Sequence, residues 1–372
     1  MRVVRSCLAG ASIFLGAICL PLLAGEAACR LAGYRGLERY RPDSTLGWVP
    51  AAGQATVTRV GSFPVRIDDD GFRGEPIASP KRAGTIRLFA LGASTTFGWG
   101  VRQEDTYESI LERMLNDTAR AAGAAQRYEV VNGGVIGFNL RQDYRYMRRI
   151  VERWQPDGFI VAYTFNDAWN RFGSAGAPAL GRVLLGVRTK NVLRRSALYN
   201  WLVDLLARRR YAAAAARGPG APALMQTADG PASPADLADF RATLDSMLAL
   251  QRTRHLSLAF VVQAARDQGA AWPRQLDLER FAGTARLPVL DLFPAFEAAG
   301  RDSLYLAGDA VHPSARGHAL IARLLYTALC RAAASAGPGA SEAIYRSGCG
   351  RGGEVHGPQK LRARPHSGDA PG

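Results

Sequence analysis

Five near-continuous apolar stretches, alternating with segments of helical periodicity, constrain this chain more than any other feature. They are TIRLFAL (85–91), YEVVN (128–132), GFIVAY (158–163), LSLAFVVQA (256–264) and LPVLDLF (287–293). Between the first three lie 105–120, with Ile110, Leu111, Met114 and Leu115 on one helical face, and 140–154, with Leu140, Tyr144, Met147 and Val151 on another. Apolar strands separated by amphipathic helices predict a parallel sheet covered on both sides, an α/β chain in three layers. Further helical segments are LADFRATLDSMLALQR before the fourth strand and ALIARLLYTALCRAAA after the last. The alternation breaks between 171 and 235, where Gly- and Pro-rich pieces flank VLRRSALYNWLVDLLARRRYAAAAA. That length is too great for an ordinary connection and predicts a helical insertion over one end of the sheet.

The termini read differently. An uncharged run over 6–25 follows Arg2 and Arg5 and approaches the roughly 20 apolar residues that cross a bilayer. It predicts a signal anchor, or a signal peptide cleaved near Gly25, with everything after it outside the inner membrane. Cys29 has Glu26 three places upstream where lipidation needs an aliphatic residue. Residues 26–82 read as a polar connector with short strands and a tight turn at Gly71 and Gly74 in VRIDDDGFRGEP. The domain proper is expected over 83–332. The segment 333–372 has too little apolar surface to fold and is expected as a disordered tail. The formal charge of +15 comes from 47 basic residues of which only three are Lys, scattered among Ala and Gly, and no nucleic-acid partner is read from it. An oxidising compartment permits Cys330 and Cys349 to pair, and the alternative is unpaired thiols in a tail.

In a doubly wound sheet, ligands meet the loops at the carboxyl ends of the strands. Those loops carry Gly92-Ala93-Ser94, then 132–137 with Gly137, then Thr164-Phe165-Asn166-Asp167, and after the last strand GDAVHPSARGH, with Asp309 three residues before His312. A hydroxyl, an imidazole that must be neutral to accept its proton, a carboxylate and oxyanion donors are the parts of an acyl-transfer site. Each has a structural alternative. Ser94 and Thr95 could cap a helix, as could Asp309; Gly137 could serve a turn; Asn166-Asp167 could form an Asx turn. His318 and His255 read as structural. Trp169 and Trp201 read as core or lid residues in preference to a sugar platform. Phosphate-binding loops are excluded, because no Lys follows the last glycine of 92–100 and G-x-G-x-x-G is absent. An α/β-hydrolase elbow is excluded because Thr96 stands where G-x-S-x-G needs its second glycine.

Taken together, the four loops resemble the SGNH hydrolases, or GDSL esterase/lipase family, over 86–329. LGASTTFGWG is similar to the first block, VVNGGVIGFN to the second, TFNDAWN to the third and DAVHPSARGH to the fifth. The resemblance implies a flavodoxin-like, five-stranded parallel sheet in an α/β/α sandwich with the helical insertion added. It implies Ser94 as nucleophile, His312 as base and Asp309 as its partner. Ser94 N–H, Gly137 N–H and the Asn166 amide become the oxyanion donors, and no metal or organic cofactor is called for. Two positions depart from the family pattern: Ala93 replaces the Asp before the serine, and Phe165 stands where a glycine often precedes the asparagine. The function implied is hydrolysis of acyl esters, O-acetyl groups of envelope glycans first and lipid esters second, by an exported enzyme of the periplasm. An O-acyltransferase to a sugar acceptor and a catalytically silent glycan-binding protein are the alternatives.

Overall fold

The computed structural model describes residues 2–34, 36–57, 63–164, 167, 177–217, 234–266, 275–335 and 341–349, in backbone alone at 2–13, 15, 177–179, 234–236 and 341–344. The chain opens on α1 (Arg2–Leu31), then forms two short hairpins, β1 (Tyr40–Asp43) with β2 (Gly47–Pro50) and β3 (Gln54–Val57) with β4 (Pro64–Ile67). The main sheet holds β5 (Thr85–Leu91), β6 (Arg127–Asn132), β7 (Gly158–Tyr163), β8 (Ser257–Val262) and β9 (Val289–Asp291), all parallel and in the order β6-β5-β7-β8-β9. All five strands expected from the apolar runs are present.

Successive side chains on a strand point to opposite faces, so each central strand feeds two cores. Phe89, Leu91, Phe159, Val161, Tyr163, Leu258 and Phe260 pack with α4 (Leu140–Arg153), α7 (Pro234–Arg254) and α8 (Gln275–Ala285) through Met147, Ile150, Leu244 and Leu278. Leu88, Ala90, Ile160, Ala162, Ala259 and Val261 pack on the other face with α3 (Tyr107–Ala121) and α10 (Ala315–Ser335) through Leu111, Leu115, Ile321 and Leu325. The chain therefore has the expected α/β/α layering. Continuous burial on both faces explains why these strands are apolar at every position instead of alternating.

The interrupted region forms α5 (Ala177–Leu193) and α6 (Ala197–Ala216), and 168–176 with 218–233 lie outside the described residues. Ser196 caps α6 by accepting from Tyr199 N–H. Glu26, at the lower end of α1, accepts from Ala197 N–H at 3.0 Å, Leu198 N–H at 2.9 Å and Ser196 Oγ at 2.7 Å. A carboxylate at a helix N-terminus satisfies amides that have no partner within the helix and meets the positive end of its dipole. Helices α1 and α6 are thereby joined. Among the described residues no helix is long and apolar enough to cross a membrane.

The connector does more than cover an edge. Asp68 Oδ1 accepts from Asp70 N–H and Phe72 N–H to close the turn after β4, and Arg73 then pairs by backbone with Asn132 at the end of β6.

The tail is a correction. Expected as disordered from 333, the chain stays helical to Ser335, and 341–348 form a 3-10 helix. Tyr345 is fully buried, its hydroxyl 2.8 Å from Ser257 Oγ, while Ser347 Oγ lies 2.6 Å from Tyr128 OH. Cys349 is bonded to Cys330 on α10. One tyrosine and one cross-link hold down a segment whose composition alone would not fold, because the disulfide removes much of the entropy cost of closing the loop. Replacing Cys349 by Ser should lower unfolding free energy by about 3 kcal/mol. Denaturant titration of the oxidised wild type and the variant measures this, and equal midpoints would show that Tyr345 suffices without the bond.

Candidate active site

The strand β5 ends at Leu91 and the chain turns at once into the single helical turn α2 (Ser94–Phe97). Ala93 is the N-cap residue and no side chain caps the turn, so Ser94 and Thr95 are not its caps. The turn ends at Gly98, whose φ of 79° lies in the left-handed region that glycine occupies without strain, and Gly98 N–H returns to Ser94 O and Thr95 O.

Beneath this turn lies Arg73, 3 % exposed, a residue sequence reasoning did not single out. Its Nη1 donates to Phe97 O and, at 2.6 Å, to Gly98 O; its Nη2 donates to Val101 O at 2.7 Å and its Nε to Gln103 Oε1 at 3.0 Å. Burial lowers its pKa to about 10, which leaves it charged at neutral pH. A buried cation without a carboxylate in hydrogen-bond reach needs such a ring of acceptors, and here they are the carbonyls that follow the serine. Nothing in the sequence separates this arginine from the many on the surface.

The second loop is stitched to the first. Asn132 Nδ2 donates to Thr96 O at 2.9 Å, Asn132 Oδ1 accepts from Gly134 N–H, and Val135 N–H donates to Gly92 O. A Cβ at Gly134 would sit 2.3 Å from Phe97 N, so only glycine lets the two loops touch. Trp48 of β2 donates to Ile136 O at 3.0 Å, and its ring lies against Gly137, which has a φ of 81°. Asn166 lies outside the described residues, whereas Thr164 N–H donates to Asp167 Oδ2 at 2.5 Å and closes that turn.

The last loop completes the group. His312 Nε2 lies 2.8 Å from Ser94 Oγ, and His312 Nδ1 lies 2.7 Å from Asp309 Oδ2. Asp309 Oδ1 accepts from Val311 N–H at 2.7 Å and His312 N–H at 3.0 Å. Asp309 is therefore not the cap of α10; Ser314 Oγ is nearer that role, accepting from Gly317 N–H. Burial pushes the Asp309 carboxyl up, but the facing His312 and the three N–H donors outweigh it and bring its pKa down to about 2. An ionised Asp309 requires a proton on Nδ1, which leaves the Nε2 lone pair directed at the serine hydroxyl. The second lone pair of Asp309 Oδ2 is used by Tyr211 OH, at 2.8 Å, from α6 in the insertion. No spacing relation links Tyr211 to the motif, so the sequence offered no route to it.

His318 is structural: fully buried, it accepts from Tyr107 N–H through Nδ1 and stacks on the Tyr107 ring, and burial followed by the charges of Arg73 and His312 lowers its pKa to about 3. Among the described residues no three His, Cys, Asp or Glu side chains converge as metal ligands would.

The model of the GDSL-like Lipase/Acylhydrolase family matches residues 90–320, which contain every residue of this site except Trp48 and Arg73. The chain belongs to this family. It is an ester-hydrolysing enzyme of the GDSL type. Among solved structures it is similar to LAE5, an alpha/beta hydrolase from the metagenome of Lake Arreo, at 17% identity over 65% of this chain and 94% of that one, with a TM-score of 0.40. Axe2, an acetylxylan esterase from Geobacillus stearothermophilus, is similar at 17% identity over 64% and 92%, TM-score 0.37. A two-domain esterase active on acetylated mannans is similar at 16% over 66% and 49%, TM-score 0.39. No curated protein sequence matches the chain.

This GDSL enzyme carries two buried acids behind its loops. Burial raises the Asp167 pKa to about 7, and burial together with the charge of Asp167 raises that of Asp143, on α4, well above the carboxylate range. The folded chain therefore binds protons more readily than the unfolded one. The stability this confers is fully present below about pH 3.8 and is lost as pH rises through about 7. Asp143→Asn should make the fall in Tm between pH 5 and 9 shallower, each kcal/mol recovered being worth ~2–4 °C. Parallel Tm–pH curves for the two proteins would show that neither acid carries the dependence.

Proposed function

We propose that the enzyme is a serine esterase working through an acyl-enzyme, with Ser94 as nucleophile, His312 as general base and Asp309 as the group that holds the imidazole. The observation that carries this reading is the single imidazole within hydrogen-bond distance of both Ser94 Oγ and an ionised, fully buried carboxylate. As Ser94 attacks the ester carbonyl, its proton passes to Nε2, and Asp309 stabilises the imidazolium that results. The proton then leaves with the alcohol, and water repeats the sequence on the acyl-serine. Ser94 N–H, Gly137 N–H and the Asn166 amide are the proposed donors to the oxyanion. Arg73 and Tyr211 are positioning residues in this scheme: one fixes the carbonyls after the serine, the other the carboxylate behind the histidine.

The proposed substrate is a short acyl ester, an O-acetyl group on an envelope glycan. Ser94 is only 9 % exposed among the described residues, which supports a small acyl group over a long chain. The uncharged run over 6–25 behind Arg2 and Arg5 supports a catalytic domain on the outer side of the inner membrane, where such glycans lie.

Ser94→Ala should abolish hydrolysis of p-nitrophenyl acetate and labelling by a fluorophosphonate while leaving Tm within a few degrees. Asp309→Asn should reduce kcat by roughly 10³–10⁴ yet still permit slow labelling, and Asn166→Ala should reduce it by roughly 10²–10³. Since Asp309 keeps its charge down to about pH 2, activity lost on acidification above pH 3 is not lost through its protonation. Full activity in Asp309→Asn from pH 5 to 9 would remove the carboxylate from the mechanism. Location is tested separately by a reporter fused after residue 349 that matures only outside the cytoplasm; cytoplasmic activity of the matching cytosolic reporter would overturn it.

A further inference from the structure

Far from Ser94 in sequence, where the end of α1 meets the start of α6, lies a cavity of about 410 Å³. Four arginines line it: Arg30 from α1, Arg39 from the segment before β1, and Arg194 and Arg195 from the turn between α5 and α6. Arg30 pairs with Glu26 at 2.7 Å and Arg194 with Glu38. Among the described residues Arg39 and Arg195 have no carboxylate partner, so the walls keep two uncompensated positive charges. Two buried polar groups also line the cavity without hydrogen-bond partners: Thr56 Oγ1 and Asn200 Oδ1, each on a residue 3 % exposed. A buried hydroxyl left unsatisfied costs about 1–3 kcal/mol. A ligand that accepts from the hydroxyl and from guanidinium groups, and offers one O–H to Asn200 Oδ1, would relieve that cost.

The chemistry selects an anion with several acceptor oxygens. Arginine donors in a planar fork match phosphate in geometry as well as in charge, and a hydroxyl adds one more donor. The chain on either side of these arginines adds a second property. Leu31 is 89 % exposed, Val192 61 % and Leu193 46 %, and each is next in the chain to one of the lining arginines or one residue removed from it. Exposed apolar side chains beside the arginines of a basic pocket can form an apolar rim to it, the arrangement of a lipid headgroup site, charge within and hydrocarbon outside.

We propose that this cavity binds a phosphate ester group, with the apolar rim receiving the acyl chains of the lipid that carries it. Arg39 and Arg195 supply the charge, Thr56 donates from the cavity wall, and Glu26 and Glu38 hold the other two arginines in place. The site is separate from the esterase chemistry and stands or falls independently of it.

The full chain, purified in a non-ionic detergent, is titrated calorimetrically with dihexanoyl phosphatidylglycerol and, in a second arm, with inorganic phosphate. Hydrolysis of p-nitrophenyl acetate serves as the control for folding, since none of these residues touches the catalytic group. The lipid should bind more tightly than inorganic phosphate. Arg39→Gln/Arg195→Gln should weaken it at least tenfold and Thr56→Val about threefold, with esterase activity unchanged. Equal affinity for the two probes, lost in the double variant, supports the phosphate site and assigns it to soluble phosphate esters. Binding that survives in the double variant, or no binding of either probe, overturns the proposal.

Discussion

Everything at the active site depends on four loops ending on one rim, and the parallel register of the sheet imposes that. Ala90 lies opposite both Asn132 and Ile160, Leu91 opposite Val161, and Tyr163 opposite Val262, so neighbouring strands finish within about a turn of one another. A serine and a histidine 218 residues apart then meet at hydrogen-bond distance. The rim is made rigid by polar groups that reach the backbone itself. Arg73 gathers the carbonyls after the serine and Asn132 takes the carbonyl of Thr96. These contacts hold the turn from below, leaving its upper side to the imidazole.

Burial around this rim is selective in which charge it keeps. Asp309 retains its charge because the facing imidazole of His312 and three further donors, Val311 N–H, His312 N–H and Tyr211 OH, share its two oxygens, whereas Asp143, Asp167 and Glu108 lie as deep without such a set and have raised pKa values. Glu108 reaches about 8, burial being the chief cause, although Arg73 is near enough to oppose it. One fold thus holds carboxylates of both kinds at neutral pH. The difference lies first in the facing His312, whose charge lowers the Asp309 pKa most, and then in the hydrogen bonds directed at that carboxylate.

The strands and the helices flanking them were legible because apolar runs and 3.6-residue spacing are direct records of burial. The candidate loops could be picked out in the sequence because small residues and an Asp-x-x-His pair follow the strands in order, and the structure brings Ser94, Asp309 and His312 of that set together. What escaped has a common physical cause: its meaning depends on partners far away in the chain. Arg73 looks like a surface arginine until the carbonyls of Phe97, Gly98 and Val101 surround it. Tyr211 sits among alanines and arginines and gains significance only through Asp309. The segment around Tyr345 has the composition of a loose tail, and one buried ring with one disulfide reverses that reading.

The junction of α1 with α6 has a mechanical side. Helix α1 runs without a break through 6–25 to Glu26, Glu26 is fixed to the first amides of α6, and Tyr211 stands fourteen positions further along α6 against Asp309. At 1.5 Å per residue that is an arm of about 20 Å, helical throughout, with no glycine- or serine-rich tether in it. Here Glu26 and Asp309 are contacted from the two ends of one helix, and lengthening α6 by one turn between Leu198 and Tyr211 would move the tyrosine about 5 Å along the axis from the carboxylate it meets.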